Sequence, residues 1–253
     1  MIASVRNEAL ATLAARIASA RHVTVMTGAG VSAASGVPTF RGPGGLWRTY
    51  RPADLATPAA FAGDPVLVWE WYEWRREKVA ACRPNAAHDV LAKWSRDAGC
   101  RVITQNVDDL HVRAGTRDLV RLHGSLWELT CVERCTRGAR AWRDERVPLT
   151  ELPPRCPHCG GLARPAVVWF GESLSPADVA LADEATACDV FLTVGTSAVV
   201  YPAAGFVHQA RARGAFTAEI NVEVTAASAL VDMSMQGAAE DLLPAIDQLL
   251  PRR

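Results

Sequence analysis

Val23-Thr-Val-Met-Thr-Gly28-Ala-Gly30-Val-Ser32-Ala33 is the stretch that decides the fold. The apolar, β-branched run His22–Met26 predicts a short strand, and it feeds directly into a G-x-G-x-x-A turn. In a dinucleotide fold Gly28 permits the tight turn and Gly30 lets backbone N–H groups approach a pyrophosphate. Ala33 then keeps the following helix close to the strand. The N-terminus of that helix adds a positive dipole for the phosphates. A simple dehydrogenase would also carry a ribose-binding carboxylate about 20 residues further on. Here residues 36–48 form a Gly-, Pro- and Arg-rich loop instead, which argues against that chemistry.

Working outward, residues 6–20 place Leu10, Leu13, Ala14 and Ile17 at helical spacing. Asp64-Pro65 and Ser175-Pro176 read as capped helix starts, and Asn85 as the cap of a helix through Arg96. Strands are expected at Arg101–Thr104, Asp118–Leu122, Asp189–Val194 and Phe216–Ile220, with helices over 202–213 and 240–250. Strands alternating with helices indicate an α/β fold, a Rossmann-type doubly wound parallel sheet. Two stretches break the alternation, one helical and Trp-rich, the other rich in Cys, Pro and Arg. The expected division is therefore 1–39, 86–125 and 166–253 for a dinucleotide-binding domain. A smaller inserted domain would combine 40–85 (helical) with 126–165 (a zinc module).

The 253 residues are 49% apolar and 21% charged, and Lys+Arg and Asp+Glu both number 27. That balance offers no net electrostatic pull toward nucleic acid or membrane. No apolar run approaches the roughly 18 residues of a membrane span, and Met1–Ala20 lacks a signal-peptide pattern, so a cytoplasmic location is expected. The sequence does not specify an oligomeric state; a monomer is compatible with it.

Seven cysteines in such a chain argue against a disulfide framework. Cys131-x3-Cys135 and Cys156-x2-Cys159, with 20 residues between, have the spacing of a four-thiolate tetrahedral site, closed to water and hence structural zinc. His158 lies inside the second pair as a lesser candidate ligand. Cys82, Cys100 and Cys188 are isolated and read as packed thiols.

Gly28-Ala-Gly-Val-Ser-Ala-Ala-Ser-Gly-Val-Pro-Thr-Phe-Arg-Gly42 resembles the signature loop of the sirtuins, the NAD-dependent protein deacylases. Thr104-Gln-Asn-Val-Asp-Asp-Leu-His111, His123-Gly-Ser125, the cysteine pairs, Val167-Val-Trp-Phe-Gly-Glu172, Gly195-Thr-Ser197 and Asn221 agree with that family in order and spacing. The resemblance implies NAD+ as co-substrate and one structural Zn2+. It implies that Gly28, Ala29, Gly30, Ser32, Ala33, Gly195, Thr196 and Ser197 hold the phosphates and adenosine half. Asn221 and Glu223 would meet the adenine ribose, and Ala239 the adenine. Phe40 and Arg41 would cover the nicotinamide side, Asn106 and Asp108 would line its pocket, and Gln105 would touch its ribose.

His123 would be the general base, since an imidazole titrates near neutral pH; Asn106 would assist catalysis. The acyl oxygen of a modified protein lysine would displace nicotinamide, giving free lysine and O-acyl-ADP-ribose. Backbone at Val168 would bind the acyl-lysine amide, and Phe170 would wall its tunnel. Mono-ADP-ribosyl transfer to a protein, or a non-catalytic NAD-sensing module, are the competing readings; the general base speaks against the second.

Trp69-Glu-Trp-Tyr72-Glu-Trp-Arg75-Arg76 bears on the acyl group. Tyr72 and Arg75 are three apart, so they share a helix face, and a phenol with a guanidinium can clamp a carboxylate. The pair resembles the Tyr-x-x-Arg signature of the class III, desuccinylase- and demalonylase-like branch. Small residues in Asp54-Leu-Ala56-Thr-Pro58 would leave room for a longer chain. Succinyl and malonyl groups, with some acetyl, are the expected substrates.

Overall fold

Val23–Thr27 forms strand β1, and every residue in it is buried. A computed structural model describes residues 2–40, 45–97, 99–138 and 140–251. The remaining strands are β2 (Cys100–Thr104), β3 (Leu119–Arg121), β4 (Gly124–Cys131), β5 (Trp142–Arg143), β6 (Ala163–Val167), β7 (Val190–Val194), β8 (Phe216–Asn221) and β9 (Met233–Gln236). Six of them form one all-parallel sheet in the order β3-β2-β1-β7-β8-β9. The order runs outward from β1 one way and from β7 the other, so the direction of winding reverses between these two strands. Ligands of open α/β sheets bind at the carboxyl edge of such a reversal.

Alternation of side chains explains why both faces are covered. Val23, Val25, Val190, Leu192 and Val194 pack with Leu13, Leu91, Leu243 and Ile246, which come from helices Ile2–Ser19, Ala86–Asp97 and Ala239–Leu249. Met26, Ile103 and Phe191 point the other way, toward Ala182, Phe206 and Val207 of helices Pro176–Ala185 and Phe206–Ala212. A period of two sends successive residues to opposite faces. The caps behave as their residue types dictate. The Asp64 carboxylate accepts from Leu67 N at 2.9 Å, Asn85 Oδ1 from Ala87 N at 3.0 Å, and Ser175 Oγ from Asp178 N at 3.3 Å.

The structure corrects the sequence reading in three places. The element after the glycine turn is a seven-residue 3₁₀ helix, Ala29–Ser35, not an α-helix. It ends at Gly36, whose left-handed φ of 89° turns the chain away. Strand β9 was not anticipated; Met-Ser-Met-Gln carries no β-branched residue. The Cys-rich stretch contains a second, three-stranded antiparallel sheet, β5-β4-β6, which the sequence hides behind Pro165 inside β6.

Helix Pro65–Ala80 lies on that second sheet. Trp69 Nε1 donates to Ala163 O at 2.9 Å. Arg76 is fully buried; it donates to the carbonyls of Leu126, Asp144 and Arg146 and ion-pairs with Glu73 and Asp144. Leu55, Phe61, Val68, Trp69, Leu126, Leu129 and Trp169 complete this core. Among the described residues no helix is long and apolar enough to cross a membrane.

Candidate active site

A cavity of about 890 Å³ opens along the carboxyl ends of β1, β2, β7, β8 and β9 and runs under the second sheet's helix. Its floor is the reversal point. Gly28 N donates to Val194 O (3.1 Å), Gly30 N to Gly195 O (2.8 Å) and Gly195 N to Ile220 O (2.9 Å). A Cβ on Gly30 would sit 2.7 Å from Gly195 Cα, and one on Gly28 2.8 Å from Thr196 Cβ. The glycines therefore let two backbones touch, leaving a cradle with no side chain over it. Side-chain amides tie the strand ends together: Gln105 Nε2 donates to Thr196 Oγ1 (2.9 Å) and Asn221 Nδ2 to Thr196 O (2.8 Å).

Gly28, Ala29, Gly30, Ala33, Phe40, Gln105, Asn106, Gly195, Thr196, Ser197, Asn221, Glu223 and Ala239 all line this one cavity, as do His123, Tyr72, Arg75, Val168 and Phe170. Ser32 and Asp108 do not line it; they stand behind Asn106. Asn106 Nδ2 donates to Gly28 O (3.1 Å) and Ser32 Oγ (3.2 Å), and Ser32 Oγ donates to Asp108 (2.8 Å). Burial raises the Asp108 carboxyl above its ordinary value, against the opposing hydrogen bonds from Leu110 N and Ser32. Arg41 lies outside the described residues.

His123 follows β3. Its Nδ1 is 2.9 Å from Gln105 O, and a carbonyl only accepts, so Nδ1 carries the proton. Nε2 is left with a lone pair, the form a general base needs. Burial lowers the imidazole's pKa, partly offset by the Gln105 carbonyl, so the ring is neutral at neutral pH. His123 O accepts from Val168 N at 3.0 Å, which seats the following turn beside His123.

That turn holds groups the sequence reading passed over. Glu172 takes two hydrogen bonds from Arg164 (2.5 and 2.8 Å) and one from Trp169 N (2.8 Å). Trp169 and Glu172 stood within the Val167–Glu172 motif, but Arg164 carries no local signal. Asp109 was also missed. Buried just after β2, it accepts from Ser125, Arg121 and Arg143, and so joins the large sheet to β4 and β5.

Tyr72 and Arg75 occupy the cavity end formed by helix Pro65–Ala80. Tyr72 is 2% exposed, and burial raises its pKa, so it stays a phenol. Arg75 is 9% exposed, its guanidinium stacked over Phe40 (5.0 Å), Trp71 (4.8 Å) and Tyr72 (5.4 Å). Burial lowers its pKa from the ordinary arginine value, and among the described residues no carboxylate lies within ion-pair distance of it.

Two more imidazoles sit behind the wall. His111 Nε2 is 2.9 Å from Thr27 Oγ1, His88 Nδ1 3.0 Å from Asn85 Oδ1, and the rings are 4.8 Å apart. Burial lowers His88 from 6.5 to about 4; His111 falls to about 3, again chiefly through burial, with His88 adding to it. Both are neutral when folded, whereas the unfolded chain protonates them as pH drops below about 6.5. The unfolded state then binds more protons, so stability rises with pH through this window and is lost as pH falls from 6.5 toward 4. The unfolding free energy from urea titration should drop over that range, by up to about 1.4 kcal/mol per pH unit per ring. His111→Gln should flatten the slope; an unchanged slope would show that His111 titrates normally.

Away from the cavity, the sulfurs of Cys131, Cys135, Cys156 and Cys159 all lie within 4.8 Å of one another. Cys131–Cys159 is 3.6 Å and Cys135–Cys156 3.8 Å. A zinc tetrahedron with bonds of about 2.3 Å has sulfur–sulfur edges of about 3.8 Å, so the four donors fit it. The amides of Gly138 and Gly161 point at the Cys135 and Cys159 sulfurs (3.3 and 3.4 Å), as thiolate ligands require. His158 does not belong to this group.

Residues 28–202, from the glycine turn to just past Gly195-Thr-Ser197, match the Sir2 family. The chain belongs to that family. It is 52% identical to NAD-dependent protein deacylase 2 of Pyrobaculum aerophilum over 94% of both chains. It is 47% identical to the mitochondrial NAD-dependent protein deacylase sirtuin-5 of Canis lupus familiaris, over 90% of this chain and 81% of the dog protein. The crystal structure of a Sir2 homologue in complex with NAD superposes with a TM-score of 0.87 at 44% identity, over 94% of this chain and 93% of that one. The sirtuin glycine cradle and four-cysteine module are both present in this chain.

Proposed function

We propose that this sirtuin removes acidic acyl groups, succinyl and malonyl above all, from protein lysines, and acetyl groups less well. The chain is an NAD-dependent protein deacylase. When bound, NAD would supply an electrophilic ribose carbon at which the acyl oxygen replaces nicotinamide; one water is then consumed as lysine is freed and O-acyl-ADP-ribose formed. The cradle of Gly28, Ala29, Gly30, Gly195, Thr196 and Ser197 holds the phosphates. Asn221, Glu223 and Ala239 take the adenosine end, where they line the same cavity. Gln105 takes the second ribose and Asn106 the nicotinamide pocket, with Phe40 above it; Ser32 and Asp108 act through Asn106. His123 Nε2 receives a ribose hydroxyl proton. Val168 N is committed to His123, so the Val168 carbonyl is the group that accepts from the acyl-lysine amide, and Phe170 walls the tunnel. The 40–85 and 126–165 stretches, which share one apolar core, serve as the small domain that closes the cavity's acyl end. Seven free cysteines suit a reducing, cytoplasmic compartment.

The observation that carries the acidic preference is Arg75: a buried guanidinium at the cavity wall that Asp108 attracts only from beyond ion-pair distance, with no carboxylate in contact among the described residues. A cation left so is costly until an anion arrives. With the Tyr72 hydroxyl beside it, the site offers a fork of donors to a terminal carboxylate. Arg75→Met and Tyr72→Phe should each lower kcat/KM on a succinyl-lysine peptide, Arg75→Met by about a hundredfold, and cost acetyl-lysine far less. Equal losses on both substrates would refute the clamp.

A further inference from the structure

The Trp169 side chain has one polar atom, and the structure spends it on Tyr72. Its indole Nε1 is 2.8 Å from the Tyr72 hydroxyl oxygen, in a buried setting. An indole N–H can only donate, so the Tyr72 oxygen is the acceptor. The phenol has a single proton, which must then point away from Trp169. No acceptor among the described residues meets it, and Tyr72 lines the cavity; the proton therefore faces the space where the acyl chain ends.

The indole is held so that it cannot give up this bond. The Arg164 guanidinium stacks on it, 3.4 Å from the ring centroid, and the Phe61 ring lies 5.3 Å away. Glu172 fixes Arg164 from the far side and takes the Trp169 backbone N–H as well. Glu172, Arg164, Trp169 and Tyr72 thus form one chain of contacts from the turn beside His123 to the acyl end of the cavity. Donation into the phenol oxygen also polarises the O–H, making it a stronger donor.

We propose that Trp169 is a positioning residue for acyl specificity: its indole N–H orients the Tyr72 hydroxyl so that the phenol proton is presented to the carboxylate of an acidic acyl group. This rests on the acidic-acyl reading of Tyr72 and Arg75. Without that N–H only the neighbouring Arg75 guanidinium still acts on the phenol oxygen, and the proton is shared between cavity and wall. A neutral acetyl group makes no use of the orientation, so the effect falls on acidic substrates.

The test removes the N–H and keeps the shape. The wild-type protein, a Trp169→Phe variant and a protein with the benzothienyl analogue of tryptophan at position 169 are compared on succinyl-lysine and acetyl-lysine peptides. Calorimetric binding of the succinyl peptide without NAD gives a readout independent of turnover, and melting temperature reports folding. The sulfur analogue guards against a phenylalanine variant that packs badly.

The expected result is a KM for the succinyl peptide raised about fivefold, with kcat changed less and a matching loss in calorimetric affinity. The acetyl KM should move by a smaller factor, so that selectivity drops. Adding either replacement to Tyr72→Phe should cost nothing further, because both act through one hydroxyl. Equal losses on the two peptides, or fully additive losses in the double variants, would overturn the proposal and leave Trp169 as a packing residue. If the wild type shows no preference for succinyl-lysine, the acidic-acyl reading itself is wrong. If it does and the N–H-free proteins keep the same ratio, only the role of Trp169 is.

Discussion

Replacing His123 with tyrosine should cut kcat by about a thousandfold or more while the protein keeps its zinc and its melting temperature. The size follows from what the ring does. A positioned general base is worth roughly 10²–10⁴ in rate, and His123 is the one imidazole lining the cavity among the described residues, its Nε2 left basic because Gln105 O holds the Nδ1 proton. Tyrosine at this position has no free base near neutral pH. The fold should survive, since His123 belongs to none of the three apolar cores. The pH profile offers a second check on the same ring. Protonated imidazole cannot accept a proton, and burial holds its pKa below the ordinary 6.5. Activity should therefore persist down to about pH 6.5 and fall at lower pH, as kcat/KM measurements on an acyl-lysine peptide would reveal. A His123→Tyr protein with substantial nicotinamide release would remove the ring from this role.

Cys156→Ala should strip the zinc and lower the melting temperature by on the order of 10 °C. Arg76, Glu73 and Asp109 hold residues 143–149 of the module around the cysteines, but those bonds do not reach the turns that carry the sulfurs. Its connections between β4 and β6 are long loops, and β5 is two residues long. The four sulfurs are the point where the two ends of this stretch meet, and the Gly138 and Gly161 amides are aimed at them. A structural metal supplies folding free energy directly, so losing one thiolate costs more than losing an ordinary buried side chain. Metal content by atomic absorption and melting by circular dichroism would be measured on the same sample. Zinc at one per chain with an unshifted melting curve would overturn the four-thiolate assignment.

Some of this site could be read from the chain because local chemistry forces it. A strand running into Gly28-Ala-Gly30 must turn tightly, and the second half of the cradle, Gly195, likewise ends a strand of buried β-branched and aromatic residues. Thiolates at Cys-x3-Cys and Cys-x2-Cys spacing converge because short turns bring each pair together. The helix caps Asp64, Asn85 and Ser175 sit where their side chains can reach the exposed backbone donors. Ser32 and Asp108 belong to the same motifs but stand one layer behind the wall, a depth that spacing along the chain does not encode. The second sheet escaped notice because its stability comes from helix Pro65–Ala80 packed across it rather than from strand propensity, and Pro165 argues locally against a strand.

Arg75 and Arg76 mark the boundary between the two kinds of information. They are adjacent, equally charged and carried on one helix, and Tyr72 is a helical neighbour of both. Charge and helical spacing distinguish neither; it is the Tyr-x-x-Arg resemblance that points to Arg75. Only the tertiary structure sends Arg76 into the three carbonyls of Leu126, Asp144 and Arg146, where it is spent on holding the second sheet, and turns Arg75 onto the aromatic wall of the cavity. The same holds for Trp169 and Tyr72, 97 residues apart, which share one hydrogen bond. The sequence by itself determined the parallel sheet, the glycine cradle and the cysteine cluster, because each follows from backbone sterics, side-chain periodicity or short-range chelation. Which cation faces the cavity depended on contacts between distant segments, and those exist only once the chain has packed.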